Sequence, residues 1–177
     1  MTIEQCIKPE LNIRVNHAIQ ISDWEGINQA HSLMRMERLS AGGNIRDKSP
    51  EDLAALISGG GQLWTWIEER TILSVCTLEP KTGRLPWWYI NNGITHPEHR
   101  GRGLSGQLVE SVVHANAQTD TGFIVLYVRQ NLFERLGFTE VSVDELTRID
   151  DQVAGVIRKK LRPEKETHIF IKLAKTT

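Results

Sequence analysis

Several features that would mark a specialised class of protein are missing from this chain. Only 2 cysteines occur among its 177 residues, Cys6 and Cys76, and they do not stand at the spacing of a metal-binding pair. We therefore expect two thiols in a reducing compartment rather than a disulfide. The 6 histidines are scattered without a metal-ligand spacing, so the sequence predicts no metal site.

Long apolar runs and a strong excess of one charge are absent as well. No apolar run approaches the length of about 18 residues that a membrane span needs, and no charged-then-apolar leader opens the sequence. The formal net charge is −1, which argues against a broad surface for nucleic acid or for an anionic membrane. We therefore expect a soluble, cytoplasmic protein that binds neither nucleic acid nor membrane.

What is present is the composition of an ordinary globular domain. Hydrophobic residues make up 40% of the chain and charged residues 24%, and the length is sufficient for one buried core. The sequence has no internal repeat and no linker that would divide it. We predict a flexible segment over residues 1–10 and a single domain over residues 11–177.

The periodicity of the apolar residues predicts strands and helices in a mixed order. A first strand over Leu11–Val15 precedes two helices, the second of which begins after Ser49 with Pro50 in its first turn. Three strands, a helix, a strand buried on both faces (Gly122–Val128), a short helix and a final strand (Thr167–Ala174) follow. This order predicts an α/β fold with a mixed central sheet of about six to seven strands flanked by about four helices, in a single layered domain.

A glycine-rich turn, "RGRGLSG" at Arg100–Gly106, lies where a strand leads into a helix. The first N–H groups of a helix have no partner within the helix, and with the helix dipole they favour an anion. The three glycines of the turn leave the amides accessible, and its two arginines add charge-assisted hydrogen bonds. A turn selected for its geometry alone is the alternative. The sequence predicts a phosphate site that matches neither a GxxxxGK[ST] loop nor a GxGxxG fingerprint.

The stretch "ITHPEHRGRGLSGQLVESVV", residues 94–113, resembles the coenzyme A-binding motif of the GNAT superfamily of N-acetyltransferases. Arg100, Gly103 and Ser105 occupy the fixed positions of the family pattern Arg/Gln-x-x-Gly-x-Gly/Ala, with serine in the last of them. "FERLGF", Phe133–Phe138, resembles the second landmark of the family, a short helix followed by Gly-Phe. The order of elements is similar to that fold over nearly the whole chain.

The resemblance implies acetyl-CoA as co-substrate and no metal. In this family the pyrophosphate rests on the turn, which here comprises Arg100, Gly101, Arg102, Gly103, Leu104, Ser105 and Gly106. The pantetheine arm pairs with the strand before the turn, at the positions of Gly93, Ile94 and Thr95. Dimers are common on this fold, so a homodimer remains open.

The resemblance is less complete at the catalytic positions. Family members often have glutamate or histidine on the fourth strand, where this chain has Tyr89 and Asn91, and a tyrosine acid where it has Phe133. Asn91 cannot act as a base but can orient a water molecule, and phenylalanine cannot donate a proton. Tyr127, near the end of the fifth strand, is the candidate acid instead. A tyrosine packed at the sheet surface is the alternative.

The acceptor site is the least defined part of the sequence. Arg35, Arg38 and Arg46 fall in or near the loop between the first two helices, where guanidinium groups would suit a substrate carboxylate. A solvated helix face, with Glu37 as partner, is the alternative. "TEVSVDEL", Thr139–Leu146, resembles amino-acid N-acetyltransferases of the N-acetylglutamate synthase type, although those typically continue with proline rather than threonine.

These features favour an N-acetyltransferase that moves an acetyl group from acetyl-CoA to the amine of a small molecule or amino acid. The resemblance implies direct attack by the amine within a ternary complex. Two alternatives stay open. One is a catalytically inactive CoA-binding module that acts as a sensor or interaction partner, and the other is an acetyltransferase for protein N-termini or lysines.

Overall fold

A computed structural model describes residues 14–15, 17–40, 48–118, 120–127, 131–161 and 167–174 of the chain. Eight strands and six α-helices are found in this described part. The predicted flexible segment 1–10, with Cys6, lies outside the described residues. So does Arg46.

The chain divides into two compact units. Unit 1 consists of Met1–Glu79 and Asn92–Ala115, and unit 2 consists of Pro80–Asn91 and Asn116–Thr177. The chain therefore passes between the units three times, and neither unit is one continuous piece of sequence. The predicted extent of a single domain, residues 11–177, stays a prediction.

Unit 1 is built on antiparallel strands. β1 (Arg14–Val15), β2 (Ala18–Ile21), β3 (Gln62–Glu68) and β4 (Thr71–Lys81) pair in that order. The end of β5 (Trp87–Thr95) lies beside β4, where the Ser74 hydroxyl donates to the Ile94 carbonyl at 2.8 Å. On β4, Cys76 is a free buried thiol, as predicted, and burial raises its pKa to about 12.

Helices α1 (Trp24–Ser40) and α2 (Pro50–Ser58) pack on the strands of unit 1 through an apolar face that includes Ile27, Leu33 and Leu53. The predicted start of α2 is confirmed, because Ser49 and Asp52 form a capping box and Pro50 occupies the first turn. Helix α3 (Leu104–Asn116) follows the glycine-rich turn, and Leu104, Leu108 and Val112 are buried along it.

Unit 2 contains parallel and antiparallel strand pairs. The first part of β5 pairs in parallel with β6 (Gly122–Tyr127), and β6 pairs antiparallel with β8 (His168–Leu173). β7 (Thr139–Val141) completes the unit as an antiparallel neighbour of β8. The predicted mixed α/β fold is confirmed, and β2 and β7 account for the strands beyond the predicted number.

Three helices belong to unit 2: α4 (Asn131–Arg135), α5 (Val143–Ile149) and α6 (Asp151–Arg158). The periodicity analysis did not predict α5 and α6, which pack Leu146, Val153 and Ile157 against the strands. Within the part of the chain that the structure describes, no helix combines the length and the apolar character that a membrane crossing requires.

Candidate active site

The glycine-rich turn of unit 1 has a conformation that requires glycine. Gly101 and Gly103 have φ values of 79° and 76°, in the left-handed region that other residues rarely adopt. Neither position is crowded: nothing lies within 4 Å of a Cβ built at Gly101, and only the Gln107 amide, at 3.7 Å, approaches one at Gly103. The turn therefore presents an open surface over its backbone amides, as a bound phosphate requires.

Neighbouring elements hold this turn in place. A short 3₁₀ helix, Pro97–His99, connects β5 to it, and the Gln107 N–H donates to the Gly103 carbonyl at 3.1 Å in the first helical bond of α3. Leu104 is buried, which anchors the first turn of α3 in the core of unit 1. Gly106 is also buried, and Ser105 is half-buried.

Both arginines of the turn contact carboxylates. Arg100 forms an ion pair with Glu37 of α1, and Arg102 donates to Glu68 of β3 at 2.8 Å. The hydrogen bond from Arg102, followed by one from the Trp66 indole, lowers the pKa of Glu68. A phosphate bound at the turn would therefore compete with Glu37 for Arg100 and with Glu68 for Arg102.

The strand that leads to the turn is irregular at Asn92, whose φ is 52° and whose side-chain amide donates to the Thr77 hydroxyl at 3.0 Å. The next residue, Gly93, is exposed, and a Cβ placed on it would have nothing within 4 Å. Ile94 is buried, and the Thr95 hydroxyl lies 3.1 Å from that of Ser74. The backbone of positive φ therefore lies at Asn92, directly before the first residue predicted to pair with the pantetheine arm.

Two histidines and a glutamate cluster beside the turn. His96, Glu98 and His99 have potential ligand atoms within 4.8 Å of one another. The Nδ1 atom of His96 accepts from the Glu98 N–H at 3.3 Å, and the Nδ1 atom of His99 lies 2.7 Å from the Arg102 guanidinium. These contacts link the cluster to the turn. The expectation of no metal site stays a prediction.

In unit 2, the parallel pairing of β5 with β6 ends before the last residue of β6. Their parallel register ends at Ile90 opposite Val125, whereas β6 continues to Tyr127. The Tyr127 side chain is half-buried, and its ring packs edge-on against Phe133 with the centroids 5.0 Å apart. Tyr127 thus lies at the carboxyl end of β6, which is the fifth of the predicted strands.

Phe133 belongs to an aromatic cluster rather than to the solvent-facing site. Its side chain is only 3% exposed, and its ring lies 5.4 Å from Phe138 and 5.8 Å from Phe170. The position that carries a tyrosine acid in many GNAT proteins is therefore an apolar packing position here. Tyr127 supplies the hydroxyl that adjoins this cluster.

The two candidates on β5 differ in their surroundings. Tyr89 is 6% exposed and packs in the core of unit 2, where the Lys160 ammonium lies 4.7 Å from the centre of its ring. That environment supports a packing role for Tyr89. Asn91 is half-buried at the last position of β5 within this unit.

The structure describes some of the arginines that were predicted to bind the acceptor. Arg35 is exposed on α1. Arg38 lies on the same helix, but its side chain is not among the described ones. Arg35 is therefore the one arginine of the three whose side chain the structure describes.

Sequence reasoning missed a histidine–glutamate pair in unit 2. The His168 Nδ1 atom lies 2.6 Å from the Glu140 Oε1 atom, although the two residues are 28 positions apart in the chain. Strand pairing of β7 with β8 brings them together. The one available signal was a histidine at the start of the alternating strand pattern Thr167–Ala174.

The sequence of the chain matches a known family over part of its length. Residues 59–140, somewhat less than half of the chain, match the model of the acetyltransferase (GNAT) domain. Over this stretch the chain is similar to GNAT acetyltransferases. No curated protein shows significant sequence similarity to it.

Solved structures of the same fold include N-acetylglutamate synthase of Neisseria gonorrhoeae, with coenzyme A and N-acetyl-glutamate bound (TM-score 0.63, 18% identity). The match covers 85% of this chain but only 33% of that one, so the chain spans a third of its length. A GNAT-family acetyltransferase of Staphylococcus aureus Mu50 matches with a TM-score of 0.63 and 13% identity, over 89% of this chain and 98% of that one. A Brucella melitensis GNAT acetyltransferase in complex with acetyl-CoA matches with a TM-score of 0.56 and 16% identity, over 70% and 82%.

Proposed function

We propose that this protein transfers an acetyl group from acetyl-CoA to the amine of a small molecule or amino acid. The observation that carries the proposal is the turn Arg100–Gly106. It combines two glycines of positive φ, an open surface and the amino end of the 13-residue helix α3. CoA-bound and acetyl-CoA-bound members of the same fold support this ligand.

In the proposed complex, the amides of the turn bind the pyrophosphate and the two arginines add charge-assisted hydrogen bonds. The pantetheine arm lies along Gly93–Thr95, where the exposed Gly93 leaves room for a second backbone. Both groups of residues belong to unit 1. The co-substrate is therefore held mainly by backbone, which explains why glycines rather than large side chains define this part of the sequence.

The proposed reaction is direct attack by a neutral amine on the thioester carbonyl, followed by departure of coenzyme A as a thiol. Tyr127 is the proposed proton donor to the departing sulfur. Its half-buried hydroxyl-bearing ring at the end of β6, against Phe133, supports that role. Asn91 is assigned the positioning of a water molecule.

The first experiment is a thiol-release assay with acetyl-CoA and a panel of amino acids, diamines and short peptides, with CoA binding measured in parallel. Release of thiol with a small amine supports the proposal, and release only with peptides favours protein acetylation. CoA binding without turnover on any acceptor would contradict catalysis and favour a CoA-binding module.

Replacing Gly103 tests the site itself. Gly103→Val forces a β-branched residue to adopt a φ of 76°, which strains or reshapes the turn. We expect at least about thirtyfold weaker CoA binding by calorimetry, because the turn amides no longer converge on the phosphates. The matched control is Gly155→Val on the exposed face of α6, where nothing lies within 4 Å of an added Cβ. Equal affinities for the two variants would remove the turn from the binding site.

A further inference from the structure

An open cavity of about 460 Å³ lies in unit 2 where β7 ends and β8 begins. This volume is within the range that holds small ligands. The polar side chains that line it are Glu140, Ser142, Glu145, Thr167 and His168. None of the described lining residues is a lysine or an arginine. Oxygen atoms and one imidazole therefore provide its polar surface.

His168 and Glu140 form a dyad in this cavity. The Nδ1 atom of His168 is 2.6 Å from the carboxylate, and the His168 side chain is only 15% exposed. Because a carboxylate only accepts hydrogen bonds, it holds the imidazole proton on Nδ1 and makes Nε2 the proton-accepting nitrogen. An imidazole fixed in this way can accept a proton at Nε2.

The dyad adjoins the candidate proton donor. His168 pairs directly opposite Tyr127 across β8 and β6, so both side chains lie on one face of the sheet as close neighbours. The Phe170 ring lies 6.3 Å from that of His168 on the same face. A base and an acid thus stand side by side at the end of β6, beyond Val125, the last residue of β6 that pairs with β5.

Among the described residues, the charged side chains that line this cavity are negative. Glu140 on β7 contacts it, and Glu145 on α5 lines the same cavity. Hydrogen bonds from the backbone and then the hydroxyl of Ser142 lower the pKa of Glu145, so this carboxylate stays ionised. Lys172, further along β8, donates to the Leu136 carbonyl at 2.6 Å, and α4 contributes the apolar Phe133. The described lining of the cavity therefore favours an ammonium group over an anion.

We propose that this cavity binds the acceptor of the acetyl group, that the acceptor carries a second cationic group besides the reacting amine, and that His168 is the catalytic base. The inference rests on the proposed acetyl transfer. One carboxylate of the cavity binds the second cation while the reacting ammonium faces His168. Arg35, Arg38 and Arg46 were instead predicted to suit a substrate carboxylate, which carries the opposite charge.

The proton balance of the reaction is complete with these residues. The acceptor ammonium loses one proton to Nε2 of His168 and becomes a neutral amine, and its nitrogen bonds to the thioester carbonyl carbon. When the C–S bond breaks, Tyr127 donates its proton to the sulfur and regains one from the nitrogen. His168 then releases its proton to solvent, and the products are the amide and the free thiol of coenzyme A.

A matched pair of amines tests the charge selectivity. 1,4-Diaminobutane and 1-aminobutane have the same length and differ by one ammonium group. We expect kcat/KM to be at least about tenfold higher for the diamine, and this preference to fall in Glu140→Gln and Glu145→Gln. Equal kcat/KM values for the two amines in the unmodified protein would overturn the selectivity.

The role of His168 is tested with His168→Gln, and His114→Gln on the exposed face of α3 is the control. We expect kcat to fall about hundredfold in the first variant, with CoA affinity unchanged and the acidic limb of the pH–rate profile lost. Glu140→Gln retains the imidazole but removes the carboxylate that orients it, so kcat should fall less than in His168→Gln. A normal rate and profile in His168→Gln would show that His168 is not the base.

Diamine binding can be measured through the change that it causes in the NMR chemical shifts of the His168 ring. This measurement separates the inference from the proposed function. Diamine binding that requires Glu140, in a protein that acetylates no amine, would retain the cation site and overturn acetyl transfer to amines. Acetylation of amines at unchanged rates in all three cavity variants would retain the proposed function and overturn the inference.

Discussion

Asp150 shows how one buried carboxylate organises unit 2. It is 0% exposed, and its Oδ2 atom accepts from the Arg84 N–H at 2.6 Å and the Trp87 indole at 2.9 Å. Its Oδ1 atom accepts from the Val153 N–H at 3.1 Å and thereby caps α6. A Cβ at Gly83 would overlap the carboxylate, which explains the glycine there. One side chain thus joins the loop before β5 to the helical pair.

The pH dependence of stability follows from these hydrogen bonds. Burial alone raises the pKa of Asp150, but the hydrogen bonds from Val153, Trp87 and Arg84 outweigh it, and the pKa lies below its ordinary value. The stabilisation is therefore complete above the unfolded-state pKa of about 3.9 and is lost as the pH falls through the folded pKa.

We expect Asp150→Asn to lower the free energy of unfolding at neutral pH by about 2 kcal/mol, because a charged cap and acceptor is lost. The decline in stability below pH 4 should also become shallower. Urea unfolding at a series of pH values measures both effects. Asp144→Asn, on the exposed face of α5, is the control and should change stability by less than about 0.5 kcal/mol. An equal acid dependence in the Asp150 variant and the unmodified protein would contradict the assignment.

At the scale of elements, β6 depends on close approach to β5. Its first four residues, Gly122 to Val125, are buried, which confirms a strand covered on both faces. Gly122 pairs with Trp87, and a Cβ at Gly122 would overlap the indole ring. The same indole donates to Asp150, so it cannot move without breaking that hydrogen bond. The parallel pair therefore requires glycine at this position.

Gly122→Ala is accordingly expected to destabilise the protein by about 2 kcal/mol, in the range of overpacked cores. Gly155→Ala in α6 is the matched control, since its added methyl group meets nothing within 4 Å and should stabilise the helix slightly. Denaturant unfolding with tryptophan fluorescence compares the two. A Gly122→Ala variant as stable as the control would show that the indole has room to move.

At the scale of the whole molecule, each of the two units is assembled from two separate stretches of the chain. Unit 2 draws Pro80–Asn91 from the middle of the chain, and this piece supplies the strand partner of β6 and three donors to Asp150. The carboxyl-terminal part of the chain cannot complete its core without that piece. The unit is compact in space but discontinuous in sequence.

We therefore expect the isolated fragment Asn116–Thr177 to lack a cooperative thermal transition, whereas the full chain shows one. Circular dichroism during heating, under the same conditions for both, makes the comparison. A sharp transition in the fragment would show that β6, β7, β8 and their helices fold without β5.

Local sequence was sufficient to predict the similarity to GNAT acetyltransferases, the order of the principal elements and the glycine-rich turn before α3. These are local properties, because strand periodicity, helix caps and a glycine-rich turn are each encoded within a few consecutive residues. The mixed fold and the cap of α2 were predicted for that reason. Helices α5 and α6 were missed because each is short, with 7 and 8 residues, and carries too few turns for a periodic signal.

Which distant side chains are in contact is shown by the tertiary structure alone. The His168–Glu140 dyad, the opposition of Tyr127 and His168, and the packing of Phe133 and Tyr89 in cores all depend on strand register. Register is set by long-range pairing and burial, not by neighbouring residues in the chain. The glycine-rich turn proposed to bind the co-substrate can therefore be predicted from the sequence, whereas the residues proposed for proton transfer come together only when distant strands pair.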